Sequence, residues 1–212
     1  MNVLLLGASG RIGRRAATEL LDRGHNVTGV SRSGTVAEID SDAFVVVAGD
    51  ATVSEDVAKL AAGHDAVVST LGPGGDVSPD ILTEMVTAVI DGMRHGAVDR
   101  LVWTGGAGGL MVNPETMLIE TADFPEEWKP VASAAIDAYE ILREADDLAW
   151  TYVAPAAMIQ PGDRTGEYRT ADRELVTDDE GESHISMEDF AVALVDELES
   201  ERSVHTYLGT GY

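Results

Sequence analysis

The residues best placed to do chemistry come first in the chain: Gly7-Ala8-Ser9-Gly10-Arg11-Ile12-Gly13. They follow the apolar run Val3–Leu6 and open a segment in which Ile12, Ala16, Leu20 and Leu21 share one helical face. In such a strand–turn–helix setting, Gly7 permits a tight turn. Gly10 lets the backbone approach a diphosphate, and Gly13 lets the helix pack closely on the strand. The free N–H groups at the helix start, around Ser9, Arg11 and Ile12, then face the phosphates with the positive end of the helix dipole behind them. The spacing is G-x-x-G-x-x-G rather than G-x-G-x-x-G. The competing reading is a turn that serves packing alone.

About twenty residues further on, a second apolar run ends at Val30-Ser31-Arg32-Ser33. A site for NAD would place Asp or Glu there to take the ribose 2′-hydroxyl. A guanidinium at Arg32 flanked by the hydroxyls of Ser31 and Ser33 instead suits a 2′-phosphate, which a carboxylate would repel. The expected cofactor is therefore NADP(H) in preference to NAD(H). Arg11 could assist Arg32, whereas Arg14, Arg15 and Arg23 read as solvated residues of the helix face. Asp50 is placed to accept from an adenine amine while the Ala51 N–H contacts the ring; the alternative is a helix cap for the segment from Val53. Ser69-Thr70-Leu71-Gly72-Pro73-Gly74-Gly75 is a backbone-rich loop that suits the nicotinamide ribose, with Leu71 and Gly72 as its contacts, or else a plain loop.

Thr104-Gly105-Gly106-Ala107-Gly108-Gly109 follows a fifth apolar run, where short-chain dehydrogenases carry a catalytic Ser or Thr. Thr104 is thus the candidate catalytic residue and, with Gly105, a cofactor contact. The Tyr-x-x-x-Lys pair that donates a proton to a carbonyl has no counterpart. The nearest match, Tyr139-Glu140-Ile141-Leu142-Arg143, ends in an arginine, whose pKa above about 12 prevents it from relaying a proton as lysine does. Tyr139 itself reads as a core residue. His25, His64, His95, His184 and His205 show no metal-ligand spacing and read as turn or surface residues, so no metal is expected. Neither a G-x-S-x-G nor a P-loop occurs.

These residues need a frame. Six short apolar runs, Val3–Leu6, Asn26–Val30, Phe44–Val47, Ala66–Ser69, Leu101–Trp103 and Trp150–Val153, read as strands buried on both faces. Helical stripes separate them, among them Ile81, Met85, Val89 and Met93; another, Phe190, Leu194, Val195 and Leu198, lies near the C-terminus. The repeated β-α unit predicts a Rossmann-like α/β fold: a doubly wound, mostly parallel sheet with helices on both faces, ligands lying beyond the carboxyl ends of the strands. No linker divides the 212 residues, so 1–212 is expected to be a single NAD(P)-binding domain. The long irregular stretches 105–129 and 155–185 are assigned to the substrate side. Asp178–Glu182 reads as a solvated turn. Ser186-Met187-Glu188-Asp189 has capping-box spacing, with Ser186 as N-cap and Asp189 reaching back.

Composition narrows the partners. Fourteen Lys+Arg against 38 Asp+Glu give a net charge of −24, which disfavours nucleic acid and anionic lipid. Only Lys59 and Lys129 are lysines. Such a surface suits a salt-rich cytoplasm, although GC-rich codon usage would give the same bias. The absence of cysteine rules out disulfides and thiolate chemistry. The opening Met1–Gly7 lacks a basic region and reads as a buried strand rather than a signal peptide, and no apolar run spans a membrane; the expected compartment is the cytoplasm. Nothing in the chain fixes an oligomeric state.

The glycine run, the Arg32 position, Asp65-Ala66-Val67-Val68-Ser69 and Leu148-Ala149-Trp150-Thr151-Tyr152-Val153-Ala154-Pro155 resemble the atypical short-chain dehydrogenases grouped as NADH-flavin reductases, to which biliverdin-IXβ/flavin reductase is related. Gln160–Arg169 and Ile185–Ala191 are similar to the same group, so the likeness spans nearly the whole chain. One departure is Ala154, where related proteins usually carry arginine before the proline. The resemblance implies hydride transfer from NAD(P)H to a flavin bound as an exchangeable substrate. That chemistry needs no dedicated acid, since water can supply the proton; it needs a pocket holding two flat rings in contact. Pro155, Ala156, Ala157 and Met158, with Gly105–Gly109, would form its apolar wall, with Gly106, Ala156 and Met158 facing the acceptor and Pro155 the cofactor. The rival reading is a redox sensor that binds NADP without turnover. A sugar-nucleotide epimerase or dehydratase would require the missing tyrosine and a larger C-terminal domain.

Overall fold

In Val3-Leu4-Leu5-Leu6 every side chain is apolar, yet successive side chains of a strand point to opposite faces. The run is stable only if both faces are covered, and they are. Leu4 and Leu6 enter one core with Val67, Leu101 and Trp103, while Val3 and Leu5 enter a second with Val68, Val102 and Val153. The computed structural model describes residues 1–37, 39–74, 77–200 and 203–212.

The elements run β1 (Asn2–Leu6), α1 (Arg11–Asp22), β2 (Asn26–Ser31), β3 (Phe44–Ala48), α2 (Ser54–Ala61), β4 (Ala66–Ser69), α3 (Ile81–Gly96) and β5 (Arg100–Thr104). There follow β6 (Met111–Asn113), β7 (Thr116–Met117), α4 (Lys129–Leu142), β8 (Ala149–Ala154), β9 (Met158–Gln160), β10 (Arg169–Asp172), β11 (His184–Ser186), α5 (Met187–Ser200) and β12 (Thr206–Gly211). The main sheet has the order β10-β12-β8-β5-β4-β1-β2-β3. All its pairings are parallel except β10 with β12. Helices α1 and α5 cover one face and pack on each other; α2, α3 and α4 cover the other.

The doubly wound architecture is as expected, and all six predicted strands are present. Two further strands extend the sheet: β12 beside β8, and antiparallel β10 closing that edge. The stretches 105–129 and 155–185 are not structureless. The first holds the β6–β7 hairpin and short 3₁₀ turns at Ala107–Gly109, Leu118–Glu120 and Glu126–Trp128; the second holds β9, β10 and the start of β11. Strands β9 and β11 pair with each other. Among the described residues no helix is long and apolar enough to cross a membrane.

Candidate cofactor and acceptor site

The turn after β1 has a backbone that only glycine satisfies at two positions. Gly7 has φ +80°, and a Cβ on Gly13 would lie 2.2 Å from the Gly7 carbonyl oxygen and 2.8 Å from Thr70 Oγ1. Thr70 is the hub: its N–H and its hydroxyl both donate to the Leu6 carbonyl at 2.9 Å, which brings the end of β4 against the turn. Gly10 is the N-cap of α1, and no side chain caps the helix. The helix ladder begins with the Arg14 N–H donating to the Gly10 carbonyl (3.1 Å), so the N–H groups of Arg11, Ile12 and Gly13 emerge from the helix start. Ile12 places its side chain in the α1–α5 core, and Arg11 is exposed.

Beside this start lies a cavity of about 200 Å³ whose wall includes Gly7, Ser9, Gly10, Arg32, Asp50 and Thr70. Ala51, Leu71, Gly72 and Gly74 complete the expected residues on it, whereas Gly75 falls outside the described residues. Arg32 is exposed and, among the described residues, forms no ion pair or hydrogen bond through its guanidinium; the Asp50 carboxylate lies near enough to feel its charge. Its flanking hydroxyls make local bonds of their own, and Ser31 stays on the cavity wall. Ser31 closes a turn, donating to the Thr35 carbonyl (2.9 Å) and accepting from the Thr35 N–H (3.1 Å). Ser33 bonds the Thr35 hydroxyl at 2.7 Å and is off the wall. Asp50 does not cap α2, whose N-cap is Val53. It accepts from the Thr52 N–H (3.0 Å) and hydroxyl (2.7 Å), and these bonds hold its carboxyl below the ordinary aspartate range.

Further along the carboxyl ends of the strands, past β5 and β8, a second cavity of about 920 Å³ opens. Gly106, Pro155, Ala156 and Met158 line it as expected, and residues absent from that expectation, notably Phe124 and Trp128, close its other side. Their rings meet edge to face with centroids 6.5 Å apart. Gly106 is clamped through both of its backbone polar groups. Its N–H donates to the Tyr152 hydroxyl (3.3 Å), and its carbonyl accepts from the Tyr207 hydroxyl (2.8 Å). Tyr152 in turn donates to the Ala135 carbonyl at 2.9 Å, and burial pushes its phenol far above the ordinary range. It is a brace, with no proton to release near neutral pH.

Two expected contacts are placed differently. Gly105 lies over the Tyr152 ring, where a Cβ would come within 2.0 Å, and it is on neither cavity wall; its glycine is required by packing. Thr104 is likewise on neither wall, yet its hydroxyl oxygen is buried and without a hydrogen-bond partner. Thr70, Tyr152 and Tyr207 were missed as site residues. Only the sheet register, which sets β4 beside β1 and β12 beside β8, reveals what they brace.

Arg15 and Arg23 are not simply solvated. Arg15 pairs with Glu188 (2.6 Å), and Arg23 pairs with Glu19, Asp196 and Glu199 at 2.7, 2.7 and 2.8 Å, joining α1 to α5. The capping box is half right. Ser186 accepts from the Asp189 N–H (2.9 Å), but Asp189 does not reach back; its carboxylate accepts from Thr165 N–H and hydroxyl, Gly166 N–H and the Tyr212 hydroxyl. Histidines also depart from expectation. His25 is buried against Glu199 (2.9 Å) and the N-terminus (3.2 Å), and His64 is half-buried with its Nε2 at 2.8 Å from the Thr28 hydroxyl.

A helix start with outward N–H groups, glycines that admit close backbone approach, and a cavity across the carboxyl ends of a 3-2-1-4-5 parallel sheet fit a dinucleotide diphosphate. Fold and site together define an NAD(P)-binding Rossmann domain. The chain belongs to the NAD(P)H-binding family, which matches residues 7–201. It is 39% identical to a candidate exported protein of Burkholderia pseudomallei, with a TM-score of 0.91 and full coverage of both chains. It is 33% identical to a candidate epimerase of Bacteroides thetaiotaomicron (TM-score 0.92), covering 100% of this chain and 96% of that one. It is 32% identical to a candidate NADH-flavin reductase of Streptococcus pneumoniae (TM-score 0.82), covering 100% of this chain and 99% of that one.

Proposed function

We propose that the protein is an NADPH-dependent reductase that passes hydride to a flavin or a similar flat, conjugated acceptor bound as an exchangeable substrate. The observation that carries this reading is the pairing of a phosphate cradle with a large apolar cavity along one row of strand ends. Bound NADPH would supply the hydride, two electrons and a proton, and water the second proton of a two-electron reduction. The chain's own part is positional. The start of α1 holds the diphosphate, Asp50 and Ala51 face the adenine, and Leu71 and Gly72 face the nicotinamide ribose. Arg32 takes the 2′-phosphate as the cation on the cofactor cavity wall. The clamped Gly106 and the Pro155–Met158 segment keep the acceptor ring against the cofactor and exclude water.

The test is loss of NADPH absorbance on mixing protein, NADPH and flavin, with NADH in parallel. Oxidation with NADPH preferred is expected, and Arg32→Glu should lower the NADPH-over-NADH preference by about tenfold or more, the worth of one charge-assisted contact. Binding of NADPH without oxidation by any flavin would make the protein a sensor instead. An unmoved preference in Arg32→Glu would remove the assignment of that residue.

A further inference from the structure

The two cavities differ in charge as well as size. The cofactor cavity carries the Arg32 guanidinium and borders a helix start. The second carries three ionisable residues, Asp123, Glu127 and Glu182, all exposed carboxylates, and no Lys, Arg or His among its described lining residues. Nearby cations are engaged elsewhere. Lys129 is held by Glu126 at 2.5 Å, and Arg173 lies over the rings of Tyr139 and Tyr207, 5.5 and 5.8 Å from their centroids. Apart from the hydroxyls of Thr121 and Ser183, the remaining side chains on the wall are apolar or glycine. Trp128, Val131 and Met158 on it are 47%, 42% and 53% exposed, three of the seven large apolar side chains that the described chain leaves in water.

We infer that the acceptor is an uncharged flat ring system, and that Asp123, Glu127 and Glu182 select against acceptors bearing phosphate. The inference rests on the reductase reading and deepens it. A phosphate monoester carries close to two negative charges at neutral pH, and the described lining offers it three carboxylates and no cation. An acceptor without phosphate buries its rings against Trp128, Phe124 and Pro155 without that cost. The probe pair that isolates the difference is riboflavin against FMN, which share one ring and differ in the phosphate.

At low ionic strength kcat/KM should favour riboflavin by about tenfold or more, and the ratio should shrink in molar KCl, where the Debye length falls to about 3 Å. Asp123→Lys with Glu127→Lys should collapse or invert the ratio. Asp99→Lys with Asp146→Lys changes the net charge equally, at the opposite, amino ends of the strands, and should leave the ratio in place. Equal or FMN-favouring ratios in the unaltered protein would overturn the inference, as would a ratio moved equally by both variants. If neither flavin is reduced, the reductase reading falls alone, because fluorescence titration still measures both affinities. Riboflavin binding more tightly, with the same response to the two variants, upholds the selection; equal affinities or no binding overturn it.

Discussion

Tyr152 shows how one side chain sets the needs of its neighbours. Its ring fills the space over Gly105, its hydroxyl accepts from Gly106, and it donates to α4 at Ala135. Gly105→Ala would force a Cβ to 2.0 Å from the ring. The expected cost is about 1–3 kcal/mol, seen as a lower melting temperature. Tyr207→Phe removes the bond to the Gly106 carbonyl and leaves the fold largely intact, so acceptor KM should rise about threefold to tenfold with the cofactor KM unchanged. Asp189 is the other such residue. Asp189→Asn replaces a buried carboxylate that accepts four hydrogen bonds, and urea unfolding should show a loss of about 2–4 kcal/mol. At this scale the glycine run was legible because its consequences are local: a positive φ, and a missing Cβ beside the preceding strand. The contacts of Gly105 and Asp189 were not, because the residues they meet, Tyr152 for one and Thr165, Gly166 and Tyr212 for the other, lie far along the chain.

Between elements, the seam of α1 and α5 combines an apolar stripe with ion pairs. Ala16, Ala17 and Leu20 meet Phe190, Leu194 and Leu198, while Arg23 bridges to Asp196 and Glu199. Removing Arg23 strands Glu19, a nearly buried carboxylate that would keep only Arg164. Arg23→Ala should therefore destabilise more than the 0–1 kcal/mol of an isolated surface pair, and Glu19→Gln in the same background should restore part of the loss. The helices were readable from their 3.6-residue stripes and the first six strands from their apolar runs. Strand β12 was not, because Thr206-Tyr207-Leu208-Gly209-Thr210-Gly211 holds only two large apolar residues. Its glycines admit the segment packed alongside, where a Cβ on Gly209 would lie 2.1 Å from the Glu174 carbonyl.

For the molecule as a whole, −24 charges on 212 residues repel one another in the folded state. The melting temperature should climb as KCl rises from millimolar to molar, and a flat response would show that the acidity carries no salt requirement. Acid acts through a different set of groups. Burial would raise the Asp189 carboxyl, but the Thr165 and Tyr212 hydroxyls with the Gly166 and Thr165 N–H groups outweigh it. Arg164, against burial and with Arg23, likewise holds Glu19 low. Both folded values lie below the unfolded ones, near about 4, so unfolding releases protection that exists above that pH. Stability should fall as pH drops from about 4.5 through the lowered folded values, even in molar salt, because hydrogen bonds to a buried carboxylate are little screened.

The order of apolar runs, helical stripes and glycines was enough by itself to specify the doubly wound sheet and the glycine turn that opens α1, since these follow from periodicity and from contacts within one β-α unit. Which side chains brace that turn and Gly106, and the carboxylate rim of the larger cavity, were decided only by the fold. The segments at Asp123–Trp128, Pro155–Met158 and Gly181–Ser183 are remote in sequence, and the fold gathers them into one wall beyond the neighbouring strands β5 and β8.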